Sequence, residues 1–319
     1  MTYPLDNMIS NNTYHLLVRA LQNKEVIAFL IRVLKKTYSE LFKHRAEATS
    51  LMIDTAFAKL TLLRAEEISS ATFSDYSIAI SRDIFHTDDP DFWFHKKYRY
   101  YKTNIRAKND YQFMKDYIIG KEILDFGSGT GHLSLQLWHH GFHVTCTDII
   151  DCRYNEAKSL PFVEMQSPTD LKFKENAFDT TIVQLVLHHI DEIDLYEVLR
   201  RLQYCSRHVI IEEDTYDPQI EDRISPMYLH DQALFQEFLS LSKTSQLHYL
   251  VLIDYFANFV VAGVSEMNLP FQFRTAKQWQ TLLNSNGFTI RQNILTGFEP
   301  YRLHQTCTLW MICDKSTII

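Results

Sequence analysis

The chain has 319 residues, 46% hydrophobic and 22% charged, with a formal net charge of −7 and an isoelectric point near 6.0. That balance describes a globular protein with an ample core, and its acidity argues against a general nucleic-acid binder, whose footprint is basic. The five cysteines (Cys146, Cys152, Cys205, Cys307 and Cys313) are odd in number and lack C-x-x-C spacing, so neither a disulfide framework nor a metal site is expected.

The first residues, MTYPLDNMISNNTYHLL, show no basic start followed by an apolar run, so the expected compartment is a reducing cytoplasm. Leu17, Leu21, Ile27, Leu30, Val33, Leu34 and Leu41 recur at helical spacing over 13–45. Residues 46–68 continue that pattern without Gly or Pro. Two or three helices are therefore predicted in the first 70 residues. A turn-rich stretch follows, with HTDDPD at 86–91 as its clearest break. Then comes FWFHKKYRYYKTNIRAK, aromatic and basic together, which reads as a solvated helix face. We place a boundary after it: a helical N-terminal region over 1–110, for a lid or a dimer contact, and a second domain over 111–319.

From Lys121 onward short β-rich runs alternate with helix-length segments. EILDF (122–126), HVTCTD (143–148), FDTTIVQLVL (178–187) and RHVIIEED (207–214) read as strands. Residues 131–141 and 190–205 read as helices. Near the end, 275–287 is a helix with Thr275 as its N-cap, and 288–295 and 306–314 are strands. Alternation of this kind predicts a doubly covered parallel sheet. The last two strands are too close for a parallel crossover, so they form an antiparallel hairpin at the sheet edge. The gap of about 215–273 is too long for a plain connection and is read as a helical cap insertion. Within it LHYLVLIDYFANFVVAGV (247–264) is strongly apolar. His248, Asp254 and Asn258 interrupt it, so it predicts a buried helix rather than a membrane span, which needs ~20 apolar residues.

Three of the chain's 8 glycines fall at 127, 129 and 131, between the first strand and the following helix. A strand, a Gly-rich turn and a helix N-terminus together form a ligand cradle at the end of a parallel sheet. The spacing G-S-G-T-G is not the dinucleotide G-x-G-x-x-G, and no Lys precedes a Ser or Thr as a P-loop requires. Asp125 immediately before the turn would repel a phosphate and suits an ammonium group.

ILDFGSGTGHLS, then VTCTDI, then LKFKENAFDTTIVQLVLHHI, resembles the class I S-adenosylmethionine-dependent methyltransferases, and among them the small-molecule (type 11) branch. The resemblance covers 115–214 and, more loosely, 270–314. It implies a Rossmann-like, mostly parallel sheet of seven strands and S-adenosyl-L-methionine as cofactor. Asp125, Gly127, Ser128, Gly129 and Gly131 would hold the methionine part. Asp148, 21 residues after Gly127, would accept the ribose hydroxyls. Ile149 would pack on the adenine, with Asp170 or Ser167 near its amine, and Gln184 would border the methionine moiety. Beside these stand structural readings: Asp148 as a helix cap and Asp170 as a solvated loop acid.

Methyl transfer requires an oriented nucleophile and, for a neutral oxygen or protonated amine, a base. The candidates at the strand ends are His188, Glu213 and Asp214, with Glu212 beside them. His189, Tyr216, Asp254 and Arg274 are candidate acceptor-binding groups. QLVLHH stands where base-directed amino-methyltransferases carry N-P-P-Y, and no Pro-Cys nucleophile is present, so the expected acceptor is a small molecule or peptide, methylated on O or N. The expected protein is a monomer or homodimer, with no membrane partner. A non-catalytic cofactor-binding scaffold and an NAD-dependent oxidoreductase are the competing readings.

Overall fold

A computed structural model describes residues 11–63, 69–218, 231–265 and 267–315. By their contacts the residues divide into two compact units: 1–99, 229–273 and 297–306 form one, and 100–228, 274–296 and 307–319 the other.

The first unit is helical. Helices α1 (Asn11–Gln22), α2 (Lys24–Leu41), α3 (Ala46–Leu63) and α4 (Ser70–Ile80) come from its N-terminal part, and α9 (Gln232–Ser240) and α10 (Lys243–Tyr255) from its second segment. Their starts follow from capping chemistry. Side-chain oxygens of Asn23, Ser69, Asp231 and Ser242 accept a backbone N–H of the first turn of α2, α4, α9 and α10. The stripe seen in the sequence is the buried one: Leu17, Leu21, Ile27, Leu30, Val33 and Leu34 all face the interior. Each such side chain contributes about 1.5–3 kcal/mol by leaving water. The aromatic residues fill the space between helices, with Phe42 stacked on Phe94 at 4.9 Å and Phe29 against Tyr249 at 5.4 Å.

One expectation changes here and one holds. Residues 70–85 are helix rather than turns: α4 runs on as a π-helical turn, Ser81–Phe85. The Ser-rich run SATFSDYSIAI has weak propensity, but a Ser69 cap and burial of Phe73, Ser77 and Ile80 stabilise the helix, and left-handed His86 ends it. The apolar stretch 247–264 is α10 with its π-helical continuation Phe256–Val261, largely buried in this unit. Among the described residues no helix is long and apolar enough to cross a membrane.

The second unit is Rossmann-like. Its strands are β1 (Glu122–Phe126), β2 (His143–Asp148), β3 (Phe162–Glu164), β4 (Phe178–Gln184), β5 (Ser206–Tyr216), β6 (Arg274–Thr275), β7 (Phe288–Thr296) and β8 (Thr308–Lys315). The sheet order is β3-β2-β1-β4-β5-β8-β7, parallel through β5 and antiparallel for β8 and β7. The seven expected strands are present, with β8 between β5 and the edge strand β7. The eighth, β6, is a two-residue extension beside the end of β5. Helices α6 (Ala107–Met114), α7 (His132–His139), α8 (Glu192–Cys205) and α11 (Ala276–Ser285) accompany the strands, while the division between the units falls within α5 (Trp93–Tyr101). Thr275 caps α11 in a full capping box with Gln278. Ile123, Leu133, Leu137, Val144, Ile182 and Ile210 form the core that fixes the strand ends.

Candidate active site

The Gly-rich turn is held from below and from beside. The N–H groups of Gly127 and Ser128 both donate to the Thr147 carbonyl at 2.9 Å, so the end of β2 anchors the end of β1. Asp148, the last residue of β2, closes the other side. Its Oδ2 accepts the Gly129 N–H at 2.8 Å and its Oδ1 the Ile149 N–H at 2.8 Å. Burial pushes the Asp148 carboxyl up, and those backbone donors hold part of the rise back. Gly127 has φ +71° and Gly129 φ +49°, which L side chains rarely adopt.

Asp125 lies beneath the turn, buried, and accepts a hydrogen bond from the Ser134 hydroxyl of α7. Burial pushes its carboxyl up to about 6, and the nearby Asp148 charge adds to the rise. At the start of α7 the Thr130 hydroxyl lies 2.7 Å from His132 Nδ1. Burial pushes the His132 ring well below the usual histidine range, and Lys102 and Arg106 push it the same way. Those two cations stand on a π-helical segment, Lys102–Arg106, that packs against α7. Burial lowers Lys102 to about 7, with Arg106 adding to the fall. The run read as a solvated face thus brings half-buried Lys102 and Arg106 to the cradle, while Lys96, Lys97 and Lys108 are exposed.

At the end of β4, Gln184 Nε2 donates to Glu212 Oε2 at 2.6 Å and to Asp110 Oδ2 at 2.8 Å; Arg106 Nε reaches the same Asp110 oxygen at 3.4 Å. Asp110 is a residue that sequence reasoning missed. It sits on α6, 74 positions before its partner, and nothing in its local pattern marks it. Leu185 then takes a left-handed backbone (φ 56°), and a 3₁₀ turn, Leu187–His189, follows.

The strand runs two residues beyond the expected end at Asp214, and alternation separates its three acids, Glu212, Glu213 and Asp214. Glu212 turns to Gln184, and Asp214 accepts the Thr308 hydroxyl at 3.4 Å. Glu213, fully buried, receives the Val186 and Leu187 N–H groups on Oε1 and His188 Nδ1 on Oε2. The His188 and His189 rings lie 4.1 Å apart. Tyr216 is buried at the end of β5, beside β6. Arg274 pairs with Glu192 and lies 4.9 Å over the Trp279 ring.

The structure therefore gathers Asp125, the turn and Asp148 into one constellation, Gln184 with Glu212 into a second, and His188 with Glu213 into a third. Asp170 lies apart on the loop after β3. Its partners among the described residues are Lys172 at 2.7 Å and the Gln166 N–H, and the Lys172 hydrogen bond holds its carboxyl below the usual range. Ser167 bonds Thr169 in the same loop. Asp254 belongs to the helical unit, where it accepts from Asn258 at 2.7 Å.

The cradle fits a zwitterionic nucleoside cofactor. Among the described residues, and apart from its chain neighbours, no atom comes within 4 Å of where a Cβ on Gly129 would stand. The Ser128 hydroxyl, in the turn, is buried with no hydrogen-bond partner among the described residues. The Asp148 oxygens have acceptor capacity beyond the backbone donors they meet.

Residues 123–208 match the family model described as Methyltransferase domain. No curated protein matches the chain. Among solved structures, a methyltransferase from Methanosarcina mazei is 17% identical with a TM-score of 0.46, over 65% of this chain and 98% of its own. The 1,6-didemethyltoxoflavin-N1-methyltransferase of Burkholderia thailandensis is 14% identical with a TM-score of 0.42, over 79% of this chain and 92% of its own. The mitomycin 7-O-methyltransferase is 15% identical with a TM-score of 0.48, over 85% of this chain and 70% of its own. The family match spans the cradle, both carboxylates and the strands that carry them, so residues 123–208 are similar to a methyltransferase domain.

Proposed function

We propose that the enzyme methylates an oxygen or nitrogen of a small-molecule or peptidic acceptor. The observation that carries the cofactor assignments is the bond from the Gly129 N–H to Asp148 Oδ2, which makes the turn and the ribose-binding acid one rigid unit. Asp125 and the turn hold the methionine part, Asp148 the ribose hydroxyls, Ile149 the adenine face and Gln184 the side nearest the reacting carbon. Asp170 is the group that would approach the adenine edge, after exchanging its Lys172 partner.

When bound, S-adenosyl-L-methionine supplies a sulfonium methyl: the acceptor's lone pair forms the bond to carbon, the carbon–sulfur pair stays on sulfur, and the acceptor's proton is left to be taken up. The protein orients the acceptor and removes that proton. His188 is the group we assign to the proton; Glu213 and Asp214 support the strand end behind it, and His189, Tyr216 and Arg274 stand where an acceptor would be bounded. The β4 end supports a target other than a nucleic-acid base, since Gln184, Leu185 and Val186 occupy the place of an N-P-P-Y element.

Calorimetric titration with S-adenosylmethionine, S-adenosylhomocysteine and NADH, on wild type and Asp148→Ala, tests the cofactor part. Micromolar binding of the sulfonium pair, lost in the variant, is expected. Transfer of labelled methyl to candidate hydroxyl and amine acceptors then tests the rest; transfer only to a carbon or to a nucleic acid overturns it.

A further inference from the structure

We propose that the helical unit carries a binding site for a primary ammonium group, whose N–H donors Gln305, Glu40 and Asp231 accept. The site is a small pocket wholly within that unit. Helix α2 lines it with Lys36, Thr37 and Glu40, the start of α9 with Asp231 and Leu234, and the segment after β7 with Phe298 and Gln305. It opens to solvent and has room for one water-sized group.

Gln305 is the residue that asks for a ligand. It is only 4% exposed. Its Nε2 donates to the Glu299 carbonyl at 2.7 Å and to the Arg302 carbonyl at 2.8 Å. Carbonyl oxygens take donors only, so the amide cannot be turned round. Its Oε1 therefore points away from them, buried and with no hydrogen-bond partner among the described residues. The segment is held firmly enough to keep it so. The Thr37 hydroxyl donates to the Leu303 carbonyl at 2.8 Å, and the Tyr249 hydroxyl to the Gln305 carbonyl at 2.7 Å. A buried acceptor left without a donor is costly, so the pocket favours an occupant that donates.

The charges around the pocket decide which donor. Glu40 is exposed and has no ion-pair partner among the described residues. Asp231 caps α9 through Oδ1, which accepts the Leu234 N–H at 3.0 Å, while its Oδ2 pairs with Lys36. Two carboxylates against one lysine leave an excess negative charge, which favours a cation over a neutral group. A hard dication fits badly. Calcium takes about six to eight oxygens and magnesium a near-ideal octahedron, and here Lys36 already holds one carboxylate. An ammonium group has three donors, and the amide oxygen and the two carboxylates meet them. Leu234, half-buried beside Asp231, gives an alkyl stem an apolar surface on its way out.

The test is methyl NMR of the full chain labelled at leucine, with Leu234 assigned by its absence in Leu234→Val. Butylammonium chloride replaces tetramethylammonium chloride stepwise at constant ionic strength, so a cation with N–H donors replaces one without. The Leu234 signals are expected to shift and saturate. Affinity should fall about fivefold in Glu40→Gln, the effect of losing one exposed charge contact, and rise severalfold in Lys36→Met, where Asp231 loses its resident cation. Glu40 and Lys36 are both exposed, so the two variants are expected to fold. Signals that do not saturate in wild type would leave the pocket to a water molecule and overturn the proposal. Saturation by calcium chloride but not by butylammonium, or affinities unchanged in both folded variants, overturns it as well. The pocket shares no residue with the glycine cradle, so a failure here leaves the methyltransferase reading where it stands.

Discussion

A Cβ on Gly127 would lie 2.5 Å from Cγ2 of Val186, so the turn after β1 and the loop after β4 touch where only hydrogen fits. Gly127→Ala meets that clash on top of a left-handed φ, and the side chain it strikes is β-branched and stiff at χ1. The expected loss is about 2–4 kcal/mol of stability, with cofactor binding abolished. Gly129→Ala has the unfavourable φ but, among the described residues, no such neighbour within 4 Å. It is expected to lose only about 1 kcal/mol of stability, yet at least tenfold in S-adenosylmethionine affinity, because its Cβ stands in the cradle. Calorimetric unfolding beside cofactor titration separates the two variants. Equal stability losses would show that the space at Gly129 is not what the geometry describes.

Asp148 does two things at once, and its amide separates them. In Asp148→Asn one side-chain atom becomes an NH₂ group facing a backbone N–H, either of Gly129 or of Ile149. One donor loses its acceptor, which costs about 1–3 kcal/mol. Cofactor affinity is expected to fall further, by tenfold or more, because a ribose hydroxyl meets a donor where it needs an acceptor. The measurement is the midpoint of thermal unfolding with and without saturating S-adenosylmethionine. The ligand-dependent rise should shrink far more than the ligand-free midpoint falls.

The relationship between Gly129 and Asp148 lies within reach of the sequence because it is local to a βα turn and the next strand end. Glycine spacing and a carboxylate about 20 residues on are short-range consequences of parallel-sheet geometry. The Thr275 cap, the edge hairpin and the buried α10 were legible for similar reasons: each is written in a few adjacent residues. What was not legible is long-range. Asp110 and Gln184 meet across 74 positions, and no periodicity records that α6 brings an acid to the end of β4. The acids of β5 could be placed at a strand end, but their division between Gln184, His188 and Thr308 depends on which face each neighbouring strand end presents. Helix α4 was obscured because burial of three side chains outweighed a poor local propensity.

Gln184 gives a charge test of that long-range contact. Its NH₂ group donates to two buried carboxylates, Asp110 and Glu212. Gln184→Leu removes both donations and is expected to cost about 2–4 kcal/mol, near 1–2 for each hydrogen bond to a charged group. Gln184→Glu keeps the shape but sets a third acid against the first two. It should cost more at neutral pH than Gln184→Leu and recover as pH falls and the added carboxyl protonates. Denaturant unfolding of both variants across that range is the check. A Gln184→Glu protein as stable as wild type at neutral pH would mean that the amide does not bridge the acids.

Asp125 carries a pH signature whose sign is fixed by burial. Its carboxyl ionises near 3.8 unfolded and at about 6 folded, so between those values the folded protein binds the proton more tightly. Its contribution is therefore fully present below about 4, declines as pH rises and is gone above about 6, a span worth roughly 3 kcal/mol at most. Asp125→Asn removes the ionisation while its amide oxygen still accepts from Ser134. Its unfolding midpoint is expected to exceed that of wild type at pH near 8 and to match it near 4. Binding should move the opposite way. A sulfonium cofactor brings an ammonium group to this carboxylate, so Asp125→Asn should weaken S-adenosylmethionine at the alkaline end by about tenfold or more, the effect of losing one charged hydrogen bond. Thermal scans and titrations at both pH values read the two effects separately. A variant that gains stability without losing affinity would place the ammonium elsewhere in the cradle and leave Asp125 as a buried acid held for its bond to Ser134 alone.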